Sequence, residues 1–235
     1  MNGKRRPAAR VLLALLAGLT AVLSGCSGNR QYETAVCALG DISGTYADQK
    51  PRVAEMIKAG ILPALVPGDS LFFITIDSNS FNDDNLKQKM TLDYRPSYAN
   101  RQKVEFARKL DRFASGNARS SHTDISGAMM LCDDYLKSSG AGTKLMIIFS
   151  DMQEDLEQGM KRVFGKHEFD GIHIAAMNVI KLARDSSDPQ VYRDRLNRWK
   201  HRVMDAGAAD WQVLYQASHI PEFIEKAKGT GTGEN

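Results

Sequence analysis

Three places in this chain put oxygen-bearing side chains where a strand-like segment ends or a helix-like segment begins. Asp41-Ile42-Ser43-Gly44-Thr45 closes the apolar run that starts at Glu33. Thr123, in Ser121-His122-Thr123-Asp124, stands just before an amphipathic stripe, and Ser150-Asp151 follows Leu145–Phe149 directly. Carboxylate and hydroxyl oxygens are hard ligands, the type that suits Mg²⁺, Mn²⁺ or Ca²⁺. Taken singly, each piece also has an ordinary structural reading. Asp and Ser start turns, Thr caps helices, and Asp punctuates loops.

The elements that must position these residues follow from periodicity. Glu33–Ile42 reads as a buried strand, and Lys50–Leu62 as a helix with Val53, Ala54, Ile57 and Ile61 on one face and Pro63 at its end. Pro67-Gly68-Asp69 leads into a strand at Leu71–Ile76. Leu86, Met90, Leu92 and Tyr94 alternate with Lys87, Lys89, Thr91 and Asp93, the pattern of an edge strand. Tyr98–Phe113 is helical, as is the stripe Ile125, Ala128, Met129, Cys132 and Leu136. Lys144–Phe149 and Gly171–Val179 read as strands. Tyr192, Leu196, Trp199 and Val203 mark a long helix, ahead of a strand at Trp211–Tyr215 and a helix at Pro221–Lys228. Helices alternating with apolar strands predict a doubly wound, mostly parallel α/β sheet of six strands, with one antiparallel edge strand and helices on both faces. In such sheets, function collects beyond the carboxyl ends of the strands.

Asp41-x-Ser43-x-Thr45, a distant Thr123 and an Asp151 after an apolar strand together resemble the metal-ion-dependent adhesion site of von Willebrand factor A domains. The resemblance runs from about Tyr32 to Ile224, with Thr45 standing where that pattern has a second Ser. It implies a Rossmann-like fold and a site for Mg²⁺ (or Mn²⁺ or Ca²⁺). Ser43, Thr45 and Thr123 would then contact the ion, while Asp41 and Asp151 hold its waters or bind directly. Neutral hydroxyls leave the ion enough charge to attract an acidic residue from another protein, so the implied role is partner binding, not catalysis. The order of the pieces and their shared placement favour this reading over three unrelated turns.

Asp41-Ile42-Ser43-Gly44-Thr45 also resembles the Asp-x-Asp-Gly-Thr opening of haloacid dehalogenase-type phosphohydrolases. Ser43 occupies the position of the second acid there, and a hydroxyl cannot serve as that general acid. Glu154 and Asp155 read better as first-turn helix residues favoured by the dipole. A metal-independent scaffold of an envelope or secretion assembly is the other alternative.

Met1–Arg10 holds four cations and no acid, and Val11–Leu23 is an uncharged apolar run too short to span a bilayer. Leu23-Ser24-Gly25-Cys26 resembles the bacterial lipobox. That implies a signal peptide over 1–25, lipidation at Cys26, a tether over 26–31, a single domain over 32–228 and a flexible tail over 229–235. Ser27 favours the outer over the inner membrane by the same resemblance, with the domain facing the periplasm. The net charge of +3 becomes −1 without the leader, since 31 − 4 = 27 cations then face 28 acids. That balance gives no reason to expect a nucleic-acid partner. Cys37 and Cys132 sit among apolar neighbours, which favours free buried thiols, although an oxidising compartment would permit a bridge. His167, Glu168 and His173 match no zinc spacing, and His122 stands at the rim of the candidate site. Arg193, Arg195, Arg198, Lys200 and Arg202 form a basic band expected to be a solvated helix face, with an anionic docking surface as the alternative.

Overall fold

The computed structural model describes residues 30–177, 179–180 and 188–231. The proposed signal peptide, Cys26 and the first tether residues lie outside this set, as does the end of the tail. Strand β1 runs Arg30–Asp41, taking in the last two residues expected of the tether. A 3₁₀ turn (Gly44–Gln49) leads into helix α1 (Lys50–Met56), which continues as a π-helical turn over Ile57–Ile61. Next come β2 (Ser70–Ile76), β3 (Leu86–Thr91), α2 (Pro96–Ser115), α3 (Ile125–Ser138) and β4 (Ala141–Phe149). The chain closes with β5 (Ile172–Met177), α4 (Pro189–Asp205), β6 (Asp210–Leu214) and α5 (His219–Gly231). Helix α5 thus covers residues 229–231, which the sequence suggested were tail.

The six strands lie in the order β3-β2-β1-β4-β5-β6. Only β3 is antiparallel, paired with β2 through Leu71↔Met90 and its neighbours. The period-two alternation with charged outer residues marks it as the edge. The other pairings are parallel, and both faces of the sheet are covered. Alternation along β1 divides the core. Val36 and Ala38 pack with α1, α2 and α5, while Ala35, Cys37 and Leu39 pack with α3 and α4.

Two expectations change. The connection from β4 to β5 forms loops and turns over 150–171, so Glu154 and Asp155 are not in the first turn of a helix that follows β4. Cys37 and Cys132 are bridged by a disulfide, with Cα atoms 6.1 Å apart. An inward residue of β1 and an inward residue of α3 face each other across the same core layer, and that layer brings the two thiols within bonding reach.

Candidate metal centre

The chain winds outward through β2 and β3 on one side of β1 and through β5 and β6 on the other side of β4. The order therefore reverses between β1 and β4, which is where open α/β sheets leave a crevice for ligands. Asp41 is the last residue of β1, and Ser150-Asp151 follow the last residue of β4. Beyond β1 the chain turns at Gly44, whose φ of +43° lies in the left-handed region that glycine tolerates. The turn is tied to the loop before α3: the Gly44 N–H donates to the Ser120 carbonyl, and the Ser120 N–H to that of Ile42. Buried Lys50 braces that loop by donating to the Gly116 and Ala118 carbonyls.

Four side chains meet here. The Ser43 hydroxyl donates to Asp41 Oδ1 at 2.5 Å, and the Ser43 N–H donates to the same oxygen at 2.8 Å. Ser150 donates to Asp41 Oδ2 at 2.7 Å. Thr123 Oγ1 donates to Ser43 Oγ at 2.6 Å. An ionised carboxylate only accepts, so the Ser43 proton goes to Asp41 and the Thr123 proton to Ser43. Lone pairs remain on both hydroxyl oxygens. Neither hydroxyl is taken up by helix capping, so capping does not explain these two residues. Ser43 makes no side-chain cap bond, and the cap of α3 is Asp124, which accepts from the Gly127 N–H. The two aspartates do share ordinary turn duties: Asp151 Oδ1 accepts from the Gln153 N–H at 2.7 Å.

Exposure sorts the roles. Ser43, Thr123 and Asp151 keep 6–8% of their surface, whereas Asp41 keeps 1%. An ion approaching from outside would meet the first three, with Asp41 behind the two hydroxyls it orients and close enough to Asp151 to feel its charge. This donor set, two hydroxyl oxygens and one carboxylate with a second carboxylate behind them, fits a hard divalent cation. Among the described residues no group of three or more His, Cys, Asp or Glu side chains is arranged to hold an ion, so any ion at this point depends on the hydroxyls. The Thr45 side chain lies outside the described residues.

Sequence reasoning missed three supports. Ser150, the neighbour of a residue that was picked out, fixes the second oxygen of Asp41. Asp124 is fully buried and accepts from Arg162 Nη2 at 2.7 Å, which pins the 150–171 loop beside the site. The loop also pairs with Thr123 directly, since Thr123 and Asp155 exchange backbone hydrogen bonds of 2.8 and 3.0 Å. His122, expected at the rim, contacts Asp155 Oδ2 at 3.1 Å. Glu154 accepts from the Ser126 N–H at the start of α3, so it does serve a helix N-terminus, though of the preceding helix.

Burial pushes the Asp41 carboxyl up to about 6, against the opposing pull of its hydrogen bonds, and the charge of Asp151 adds to the rise. Asp133 on α3 is likewise raised to about 6 by burial, despite Lys137 at 2.7 Å. Asp69 is shifted the same way. A carboxyl whose folded-state pKa lies above its unfolded one binds its proton earlier in the native state, so stability falls as pH rises through that window. The metal-free protein should therefore gain stability as pH drops from 7 to about 4. His173, lowered by burial, works in the opposite direction over the upper part of this range. Urea unfolding in chelator at successive pH values checks this. Asp133→Asn should flatten the slope, and a slope unchanged in that variant would remove Asp133 from the account.

No model of a known protein family matches the sequence, and no curated protein matches it. Among solved structures it is similar to an aerotolerance-related membrane protein from Bacteroides fragilis, at 11% identity over 84% of this chain and 98% of that one, with a TM-score of 0.47. BatB, a conserved hypothetical protein from Bacteroides thetaiotaomicron, is 14% identical over 83% of this chain and 98% of its own, with a TM-score of 0.46. A von Willebrand factor type A structure from Catenulispora acidiphila is 8% identical over 86% of this chain and 43% of its own, with a TM-score of 0.48. At such identities and scores the likeness adds nothing to the chemistry of the site, which rests on the residues themselves.

Proposed function

We propose that this protein is a lipid-anchored envelope protein that recruits a partner through a divalent cation held at Ser43, Thr123 and Asp151, in the manner of a von Willebrand factor A domain. One observation carries the reading. Two hydroxyls that cap nothing are aligned on a buried carboxylate at the point where the sheet order reverses. Mg²⁺ keeps some of its waters readily, so a site of this kind leaves a position that an outside carboxylate can take. The ion would supply the attraction, and the chain's own part is to hold the hydroxyl oxygens in place with Asp41 behind them and to offer the Asp151 carboxylate beside them.

The Cys37–Cys132 bridge supports an exported location, because disulfides persist in oxidising compartments. Cys26, read as the lipidated residue, stands four positions before β1 begins at Arg30, so the membrane would face the amino-terminal edge of the sheet. The candidate centre lies at the other end of β1, about 40 Å away along a strand of 12 residues. Presentation away from the lipid follows. Footprinting on bilayer-tethered protein that found Thr123 shielded by lipid would contradict it.

The phosphohydrolase alternative would need Asp41 as nucleophile. Both of its oxygens already accept hydrogen bonds and it is 1% exposed, which argues against attack on a substrate. Turnover of generic phosphate esters would reopen that reading.

Calorimetric Mg²⁺ titration tests the proposal. Wild type should show saturable binding, and Thr123→Val should weaken it roughly tenfold or more while costing only about 1 kcal/mol of stability, the value of one hydrogen bond. No response to Mg²⁺, Mn²⁺ or Ca²⁺ in wild type would sink the metal reading. Pull-down of a partner that survives chelation would favour the metal-independent scaffold.

A further inference from the structure

The basic band on α4 does not form one solvated face. Arg193 and Lys200 point to solvent, whereas Arg195 is 2% exposed and Arg202 is half-buried. Arg195, Arg198 and Arg202 lie three and four residues apart around buried Trp199, which puts them on one side of the helix. They line a cavity of about 190 Å³ whose opposite wall is Met152, Gln153 and Glu154, the residues that follow Asp151.

We infer that this cavity is a second carboxylate subsite, seating an acidic side chain of the same partner segment whose first carboxylate reaches the metal. The inference rests on the metal reading above. Charge is the first argument. Three arginines line the cavity; Glu154, the acid on its opposite wall, is paired with Arg202, and exposed Arg198 has no ion-pair partner among the described residues. Guanidinium forks match carboxylates in geometry as well as charge. Size is the second argument. The space is below the roughly 300–1,000 Å³ of small-molecule sites, and it suits a single side chain.

The third argument is rigidity. Arg202 donates to Ser126 Oγ at 2.7 Å and to Glu154 at 3.1 Å, and its guanidinium lies 4.3 Å over Trp199 and 4.9 Å over Phe164. The opposite wall is held as firmly. Trp199 Nε1 donates to the Met152 carbonyl at 2.8 Å, and the Met152 N–H donates to Ser150 Oγ at 3.0 Å. Met152 has φ +61°, a left-handed conformation that a non-glycine residue keeps only where its surroundings enforce it. Ser150 therefore holds Asp41 with one bond and the cavity wall with another, so the two subsites share a rigid frame. A segment that orders both its acids on a frame built in advance pays little reorganisation cost on the protein side.

The test uses the whole chain and fluorescent glycine peptides, one kind carrying a single glutamate and a companion set carrying a second glutamate at increasing spacing. Anisotropy is read in saturating Mg²⁺ and in chelator. In Mg²⁺, the best two-acid peptide should bind wild type about tenfold tighter than the one-acid peptide, and Arg198→Gln should shrink that ratio to about twofold. If the ratio is near one in wild type, or unchanged in Arg198→Gln while the one-acid peptide still needs Mg²⁺, the second subsite is wrong and the metal centre stands. If chelator leaves the binding of both peptides unaltered, the metal reading fails and the inference falls with it.

Discussion

Asp41→Asn should abolish the Mg²⁺ response and, in chelator at pH 7, make the protein more stable by about 1–3 kcal/mol. The carboxylate is almost fully buried and its pKa is raised to about 6 from 3.8. A displacement of about two pH units is about 3 kcal/mol of penalty for holding the charge at neutral pH. Asparagine removes the charge and keeps most of the bonds. Its carbonyl oxygen can accept both donors from Ser43, and its amide can donate to Ser150 Oγ, which also accepts from the Met152 N–H. The Ser150 proton then loses its acceptor, at a cost of about 1–2 kcal/mol, which accounts for the lower end of the range. In Mg²⁺ the order should reverse or close. A ligand at about 100 times its Kd stabilises the native state by about 2.7 kcal/mol, and only wild type can collect this. Paired urea titrations with and without Mg²⁺ measure both halves. A variant destabilised in chelator, with wild type indifferent to Mg²⁺, would make Asp41 a structural turn residue and nothing more.

That contrast explains why the site was legible in part. The strands announced themselves because a parallel sheet buried on both faces needs near-continuous apolar runs, as in Leu71–Ile76 and Leu145–Phe149, and an exposed edge needs the alternation seen at Leu86–Thr91. Once the strands are placed, Asp41 and Ser150-Asp151 fall at strand ends without further assumption. The adjacency of β1 and β4 does not follow from local pattern, and the role of Ser150 depends on it, since its partner Asp41 is 109 residues away. Thr123 could be picked out but not explained. A Thr just before a helix reads as its cap, and only the folded chain assigns the cap to Asp124 and releases the Thr123 hydroxyl.

Misreadings on the other face of the sheet share one cause: local rules assign a residue to its own element, and tertiary contacts assign it to another. Glu154 obeys the preference of acids for helix N-termini, but the helix is α3, reached through the Ser126 N–H. The basic band looked solvated because a run of cations on a helix usually is. Arg202 is drawn inward because the 150–171 loop, without a helix of its own, folds over the Trp199 side of α4 and offers it Glu154, and Arg195 is buried as well. Burial among apolar residues made Cys37 and Cys132 look like inert thiols. The same burial, in a layer shared by β1 and α3, is what brings them together.

Removing that bridge should have the largest effect on stability of any single change in this chain, and it should reach the candidate metal centre. The cysteines are 95 residues apart in sequence. By loop-closure entropy, a cross-link of that span restricts the unfolded chain by about 4–5 kcal/mol, and native bridges are typically worth about 2–5 kcal/mol. For a chain of this size, a loss of about 3 kcal/mol lowers the melting temperature by roughly 6–12 °C. Cys37 stands four residues before Asp41 on β1, and Cys132 stands on the helix that Thr123 precedes. The bridge thus ties together the two elements that must hold Thr123 against Ser43. Reduced protein should bind Mg²⁺ several-fold more weakly, and a Cys37→Ala/Cys132→Ala variant should match it in both readouts apart from the small volume lost. Thermal melts and Mg²⁺ titrations, run with and without reductant on protein whose free thiols have been counted, decide the matter. Two reactive thiols in protein isolated from an oxidising compartment, or melts indifferent to reductant, would show that the two cysteines are packed side by side and unbonded. The support that the bridge lends to an exported location would then go as well.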